Sequence, residues 1–318
     1  MKLRYDSIGF ALKTGDHATK LHLLEFLGLL DTKEAKELIL SLLEDQMSNG
    51  GFPSRFNERI AGITQTCRII LLLLKCGIPQ KRLNAQSAAN FLLRLQRDDG
   101  GWSENPELTI PKEAIELSSR ESVTWLTADI IELFREVGLG KSEACKRALS
   151  WLRRAQNDEG GWFMFEGAGF EGSDPDSTAQ IAFLIKNVYG EDDPAYLKGK
   201  KLFESSLDDV ARDAERGYYV ALNGEKRDND IYHLTHLFLS SLVDKNSRIE
   251  AGYDLNDKRV EKIVKAIVDS QLEDGGWRPF WSEKSDPVYT VLALKLLASL
   301  GVVKVGDLRA YVLDILGK

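Results

Sequence analysis

One phrase, Gln-x-x-x-Gly-Gly-aromatic, recurs along this chain and limits what the chain can fold into. It runs from Gln46 to Phe52, Gln96 to Trp102, Gln156 to Trp162 and Gln271 to Trp277. The step from Gln156 to Gln271 is about twice the earlier ones, which places a degenerate copy at Asp213-Ala214-Glu215-Arg216-Gly217-Tyr218-Tyr219, where the Gln is lost. Repeats of one unit stack into one architecture, so residues 1–318 read as a single domain.

Ahead of each intact Gln, apolar residues stand eight, seven and four places upstream: Leu38, Ile39 and Leu42; Ala88, Ala89 and Leu92; Ala148, Leu149 and Leu152; Ile263, Val264 and Ile267. That spacing is one face of an amphipathic helix. The glycine pair ends the helix because glycine reaches positive φ at no steric cost. A second segment follows, at Thr66–Leu74, Thr178–Ile185, His233–Val243 and Tyr289–Leu300. It is apolar nearly all round, as a helix buried on both sides would be.

The pattern predicts an all-α fold, a single closed α/α toroid of about six helix pairs with the amphipathic helices outside and the apolar ones inside. The repeats lie near 35–78, 85–138, 145–190, 195–243 and 261–301. An inner-type helix at 17–30 and an outer-type helix at 306–316 supply the last pair and close the ring, which removes the need for polar end caps. No stretch alternates as a strand does. The irregular segments Ser103–Ser119, Phe163–Ser173 and Tyr218–Asp228 fall between a turn and an inner helix and are expected at one mouth of the ring, while Lys245–Asp257 links the last two repeats.

Net charge −7 and a pI near 5.4 argue against nucleic acid as the ligand. Three cysteines, Cys67, Cys76 and Cys145, form no Cys-x-x-Cys pair and predict reduced thiols in a cytoplasm. The N-terminus lacks a signal-peptide core, and the longest aliphatic run, Ile69–Leu74, is too short to cross a bilayer. Contact with a membrane surface stays open.

The copy Arg147-Ala148-x-x-Trp151-Leu152-x-x-x-Gln156-x-x-x-Gly160-x-Trp162 resembles the QW motif of squalene and oxidosqualene cyclases. The resemblance covers almost the whole chain. It implies the superfamily of class II terpene cyclases and protein prenyltransferase β-subunits, which share the α/α toroid. In that superfamily the motif supports the fold and takes no part in the reaction.

Asp174-Pro175-Asp176-Ser177-Thr178-Ala179 looks like the DXDDTA motif of bacterial class II cyclases, with Ser177 in place of the third aspartate. The resemblance implies that Asp176 is the acid that protonates an isoprenoid alkene, with Asp174 and His233 tuning it. Asp-Pro is equally an N-cap followed by a proline at the first helical position, a device repeated at Asp286-Pro287.

Asp230-x-Tyr232-His233-x-Thr235 looks like the prenyltransferase segment that supplies a zinc-binding His. That alternative makes Asp174, Asp176 and His233 a zinc set, without the family's thiolate; the cyclase reading needs no cofactor. Trp125, Phe170, Tyr232, Trp281 and Tyr289 are the aromatics expected to line the substrate site, where ring faces stabilise cations. The segment Phe163–Ser173 carries Glu166 and Glu171 and no base, which favours a neutral isoprenoid over a diphosphate. Arg55, Arg59 and Arg120 lie before other inner helices, where they could hold a diphosphate instead, but are expected as solvated surface residues. Two further arrangements stay open: a second subunit that completes the site, and a non-catalytic toroid that binds a lipid or a protein.

Overall fold

The computed structural model describes residues 3–112, 114–165, 172–221, 224–235 and 253–317. The chain packs as two compact units, residues 39–202 and residues 1–38 with 203–318. The boundaries fall inside helices α3 (Lys33–Glu44) and α10 (Pro194–Arg216).

In the first unit, α4 (Ile63–Lys75), α7 (Thr124–Glu136) and α9 (Pro175–Tyr189) pack side by side in that order. Helix α5 (Ala85–Arg94) backs α4, and α8 (Glu143–Arg154) backs α7. The expected inner and outer layers are therefore present. A short helix, α6 (Ile115–Ser118), lies in the segment before α7.

Each turn is built alike. The Gln side chain donates to the carbonyl of the first glycine, Gln96 to Gly100 at 2.8 Å and Gln156 to Gly160 at 2.8 Å. The same amide reaches the next outer helix, Gln96 to the Ala144 carbonyl and Gln156 to that of Ala195, both at 2.8 Å. The indole N–H of Trp102 donates to Leu92 O at 2.8 Å and that of Trp162 to Leu152 O at 2.6 Å. Both acceptors lie in the last turn of an outer helix, where carbonyls lack intrahelical donors. Gly100 adopts φ 104°, and a Cβ there would stand 2.8 Å from the Arg147 carbonyl oxygen.

The inner helix locks the same aromatic from the other side. A threonine hydroxyl accepts its backbone N–H: Thr66 from Phe52 at 2.9 Å, Thr127 from Trp102 at 3.1 Å, Thr178 from Trp162 at 3.0 Å and Thr290 from Trp277 at 3.3 Å.

The other unit holds α1 (Ser7–Thr14), α2 (His17–Phe26), α11 (Ile231–Thr235), α12 (Lys258–Asp269), α13 (Pro287–Ser299) and α14 (Val305–Ile315). Helix α13 packs against α1, α2 and α11, and α12 packs against α11. Gln271 donates to Tyr5 O at 3.1 Å and to Ser7 Oγ at 2.7 Å, and a Cβ on Gly275 would meet Asp6 O at 2.2 Å. Helix α1 thus stands where the other turns meet their next outer helix. No such helix was legible before His17, because Ser7–Thr14 is too short for a clear period.

Two small hairpins depart from the all-helical expectation: β1 (Phe52–Ser54) with β2 (Asn57–Gly62), and β3 (Tyr218–Val220) with β4 (Lys226–Asp228). The segment Tyr218–Asp228 is therefore ordered as a hairpin at its two ends. Arg120 is no solvated side chain either. At φ 64° its guanidinium donates to the carbonyls of Asn105, at 2.9 Å, and of Leu108, which holds that segment down.

Candidate functional site

Apolar content predicts inner helices without a polar face; the structure corrects this. Register each inner helix on its locking threonine. Two residues on stand Arg68 on α4, Asp129 on α7 and Gln180 on α9, side by side on adjacent helices. Two residues back stand Thr64, Trp125 and Asp176. A step of four residues keeps both rows on one helix face.

Gln180 Nε2 donates to Asp129 Oδ1 at 2.5 Å and reaches the Trp125 carbonyl at 3.4 Å. Asp129 is half-buried on α7. Burial first, then the charge of Glu132 one turn on, pushes its pKa up to about 7. The Gln180 hydrogen bond and the Arg68 charge pull the other way, and Asp176 adds to the rise. Asp129 is thus a carboxylic acid that holds its proton close to neutral pH. The Cys67 thiol beside it is pushed well above its usual range by burial and by the Asp129 and Glu132 charges.

Asp174 is the N-cap of α9: its Oδ2 accepts the Ser177 N–H at 2.8 Å, and the residue is 7% exposed. Asp286 does the same for α13, accepting from Val288 and Tyr289. Asp176 lies half-buried in the first turn of α9.

In the other unit, His233 Nε2 stands 3.0 Å from Asp213 Oδ2, and Arg216 forms an ion pair with Asp213 Oδ1 at 2.7 Å. The His233 ring stacks on Tyr219, centroids 4.0 Å apart and 9° from parallel. Tyr219 donates its hydroxyl to Asp230 Oδ2 at 3.0 Å, and Asp230 Oδ1 accepts the His233 N–H at 3.0 Å. Burial raises the pKa of both Asp213 and Asp230, and of Tyr219 to about 12 with Asp230 adding. The eroded fourth turn therefore keeps its join through Asp213 and Tyr219.

The structure brings three of the five expected aromatics together. Tyr232 meets Trp281 at 5.6 Å and Tyr289 at 6.0 Å between ring centroids, and Phe280 joins them at 5.2 Å from Tyr232. Trp281 is 53% exposed. Trp125 lies on α7 in the first unit, half-buried. Phe170, with Glu166 and Glu171, falls outside the described residues, as do 236–243 of the fourth repeat.

The zinc alternative does not fit. Asp174 Oδ2 caps α9, and Asp213 takes His233 Nε2. Among the described residues no group of three or more His, Cys, Asp or Glu side chains is disposed to hold a metal ion. No helix there is long and apolar enough to cross a membrane.

Paired helical layers joined by glycine turns define the α/α toroid class, and solved structures agree. The type II terpene cyclase MstE of Scytonema, in a variant bound to geranylgeranyl dihydroxybenzoate as substrate, matches with a TM-score of 0.60 at 14% identity, over 93% of this chain and 95% of that one. An α-amylase of Clostridium perfringens matches at 0.55 and 12% identity, over 89% and 85%. Likeness at these identities extends to the fold alone.

Two family descriptions narrow the class. The prenyltransferase alpha-alpha toroid domain matches residues 239–314. The squalene-hopene cyclase C-terminal domain matches residues 13–174, half of the chain, and the chain belongs to that family. The squalene–hopene cyclase of Zymomonas mobilis is 30% identical over 134 residues, 41% of this chain and 20% of that enzyme, so the match spans a fifth of the relative's length.

Proposed function

We propose that this chain is a class II-type terpene cyclase that protonates an alkene of a neutral isoprenoid with an aspartic acid carried on the inner helices α7 and α9. The observation that carries the reading is the Asp129 carboxyl on α7, hydrogen-bonded by Gln180 of α9 at 2.5 Å, with burial and the charges of Glu132 and Asp176 raising its pKa to about 7. Protonating carbon requires an acid kept out of water yet still protonated at working pH, and burial beside other carboxylates supplies both conditions.

The same carboxylates set the substrate class. The charges of Glu132 and Asp176 oppose a diphosphate, and Arg68 alone does not offset them. A neutral isoprenoid meets no such cost. The ring face of Trp125, on α7 four residues before Asp129, is the proposed stabiliser of cationic intermediates, a contact worth about 0.5–2 kcal/mol. Asp174 serves by fixing the start of α9. His233 is read as a structural residue of the fourth turn, because Asp213 takes its Nε2 and Tyr219 covers its ring. That a type II terpene cyclase of matching span carries an isoprenoid substrate supports a site within one such chain.

The test is incubation of the purified protein with neutral polyprenes and with prenyl diphosphates, products read by mass spectrometry. Cyclised product from a neutral polyprene is expected. Product from diphosphates alone would overturn the substrate class, and no product from any of them would overturn the reaction.

A further inference from the structure

We propose that the cavity between α14, α13 and the start of α1 binds an organic ammonium ion, with the cation held by Asp6 and the rings of Tyr5 and Tyr311 and the hydrocarbon part by Ile8, Leu294 and Leu308. The site lies within the unit of residues 1–38 and 203–318. It does not depend on the cyclase reading.

The cavity exists because α14 packs lightly. That helix buries only Val312, while its Val305, Tyr311 and Ile315 are exposed. A space of about 250 Å³ is left beside it. Ile8 and Leu294 are buried and Leu308 is half-buried, which makes an aliphatic inner end. Tyr5, Asp6 and Tyr311 are exposed and form the rim. Small-molecule sites are built in this way, apolar walls with a few polar groups that fix orientation.

The rim selects a cation. Among the described residues Asp6 is the only charged one in the lining. Its Oδ1 accepts the Gly9 N–H at 2.8 Å and caps α1, and its Oδ2 accepts the Tyr311 hydroxyl at 2.8 Å. Those bonds fix the carboxylate without exhausting it, since an ionised carboxylate offers about four lone-pair sites. The hydrogen bond to Asp6, burial, and the charges of Asp6 and Asp314 push the Tyr311 phenol up, so the field at the rim is negative. Arg4, beside Tyr5 in the chain, is taken by Asp269 at 2.5 Å.

Ring faces attract cations, and organic ammonium ions above all, while the carboxylate supplies the counter-charge. An anion is opposed here. A cavity of about 150 Å³ is enough for benzene, so this one admits a benzyl or short alkyl group with its ammonium at the rim. The ligand would bridge α14 and α1, and α1 is where Gln271 of the last turn makes its bonds to Tyr5 O and Ser7 Oγ. Binding should therefore stiffen both helices.

The test is calorimetric titration of the purified protein with benzyltrimethylammonium, benzyl alcohol and benzoate at matched ionic strength, in wild type, Asp6→Asn, Tyr311→Leu and Leu308→Trp. Wild type should bind the ammonium saturably, about ten-fold tighter than the alcohol, and should not bind benzoate. Asp6→Asn keeps the α1 cap and removes the charge, so the ammonium should lose its advantage over the alcohol. Tyr311→Leu should weaken the ammonium more than the alcohol, and Leu308→Trp, which fills the cavity, should abolish both. Hydrogen exchange of wild type should slow on adding the ammonium in residues 7–14 and 305–315. This readout needs no variant to fold. No saturable binding by wild type overturns the proposal, and so does alcohol or benzoate bound as tightly as the ammonium. Binding unchanged in Leu308→Trp, or protection confined to other helices, places the ligand elsewhere and overturns it as well.

Discussion

The hydroxyl oxygen of Thr178 accepts the backbone N–H of Trp162 at 3.0 Å, and the indole of Trp162 donates to Leu152 O at 2.6 Å. One aromatic residue therefore ties the end of outer helix α8 to inner helix α9. The same join recurs at Trp102 and Trp277, each fully buried. The motif that marks the family is a joint between layers.

Removing the acceptor at such a joint should cost stability without loss of apolar contact. Thr178→Val keeps the shape and leaves the Trp162 N–H buried and unpaired, a penalty of about 1–3 kcal/mol. Thr178→Ser should recover most of it. Urea denaturation midpoints measure both, and a valine variant as stable as wild type would show that the threonine does not bear on the joint.

Asp174 should behave as a cap. Asp174→Ala is expected to lose about 0.5–2 kcal/mol, Asp174→Asn only a small part of that, and Asp286→Ala at α13 should match the first. Thermal unfolding of the three variants gives the comparison. An Asp174→Asn variant as unstable as Asp174→Ala would show that charge is needed there beyond capping.

Asp129 should make stability fall as pH rises. Below the unfolded pKa of about 3.8 both states hold the proton, and the residue costs nothing. Between that pH and about 7 the unfolded chain ionises while the folded one stays protonated, so stability drops by up to about 1.4 kcal/mol per pH unit. Above about 7 both are ionised and the loss is complete. Asp129→Asn should therefore raise Tm at about pH 8, with the gain shrinking toward zero near pH 4. Equal Tm values for variant and wild type at pH 8 would contradict a raised acid.

Thiol chemistry checks the same interior independently. Cys67 and Cys145 are buried with their thiols pushed up, and Cys76 is half-buried. Since the thiolate is the reactive form, iodoacetamide should label Cys76 first and leave Cys67 unlabelled until denaturant is added. Peptide mass spectrometry reads the sites, and early labelling of Cys67 would mean that the inner helices open readily.

Much of the fold was legible because it rests on periodicity and turn chemistry. The Gln-x-x-x-Gly-Gly-aromatic phrase and the apolar spacing before it specify helix, turn and helix by local rules, and the structure builds each intact turn with the same bonds. The caps at Asp174 and Asp286 were legible for the same reason. The hairpin β3–β4 and helix α1 were not, because each is too short to show a period and each is held by partners far along the chain. Asp129 was hidden differently. Nothing local marks it out in the run Thr124–Glu136, and only registering the inner helices on Thr66, Thr127 and Thr178 lines it up with Arg68 and Gln180.

Sequence alone thus determined the class of fold and the segments that carry it, since helix period, glycine turns and capping residues act within a few positions of one another. Tertiary structure decided what surrounds the Asp129 carboxyl and raises its pKa. A pKa depends on burial and on charges brought from other helices, and the Gln180, Arg68 and Asp176 that act on Asp129 converge only when α4, α7 and α9 pack together.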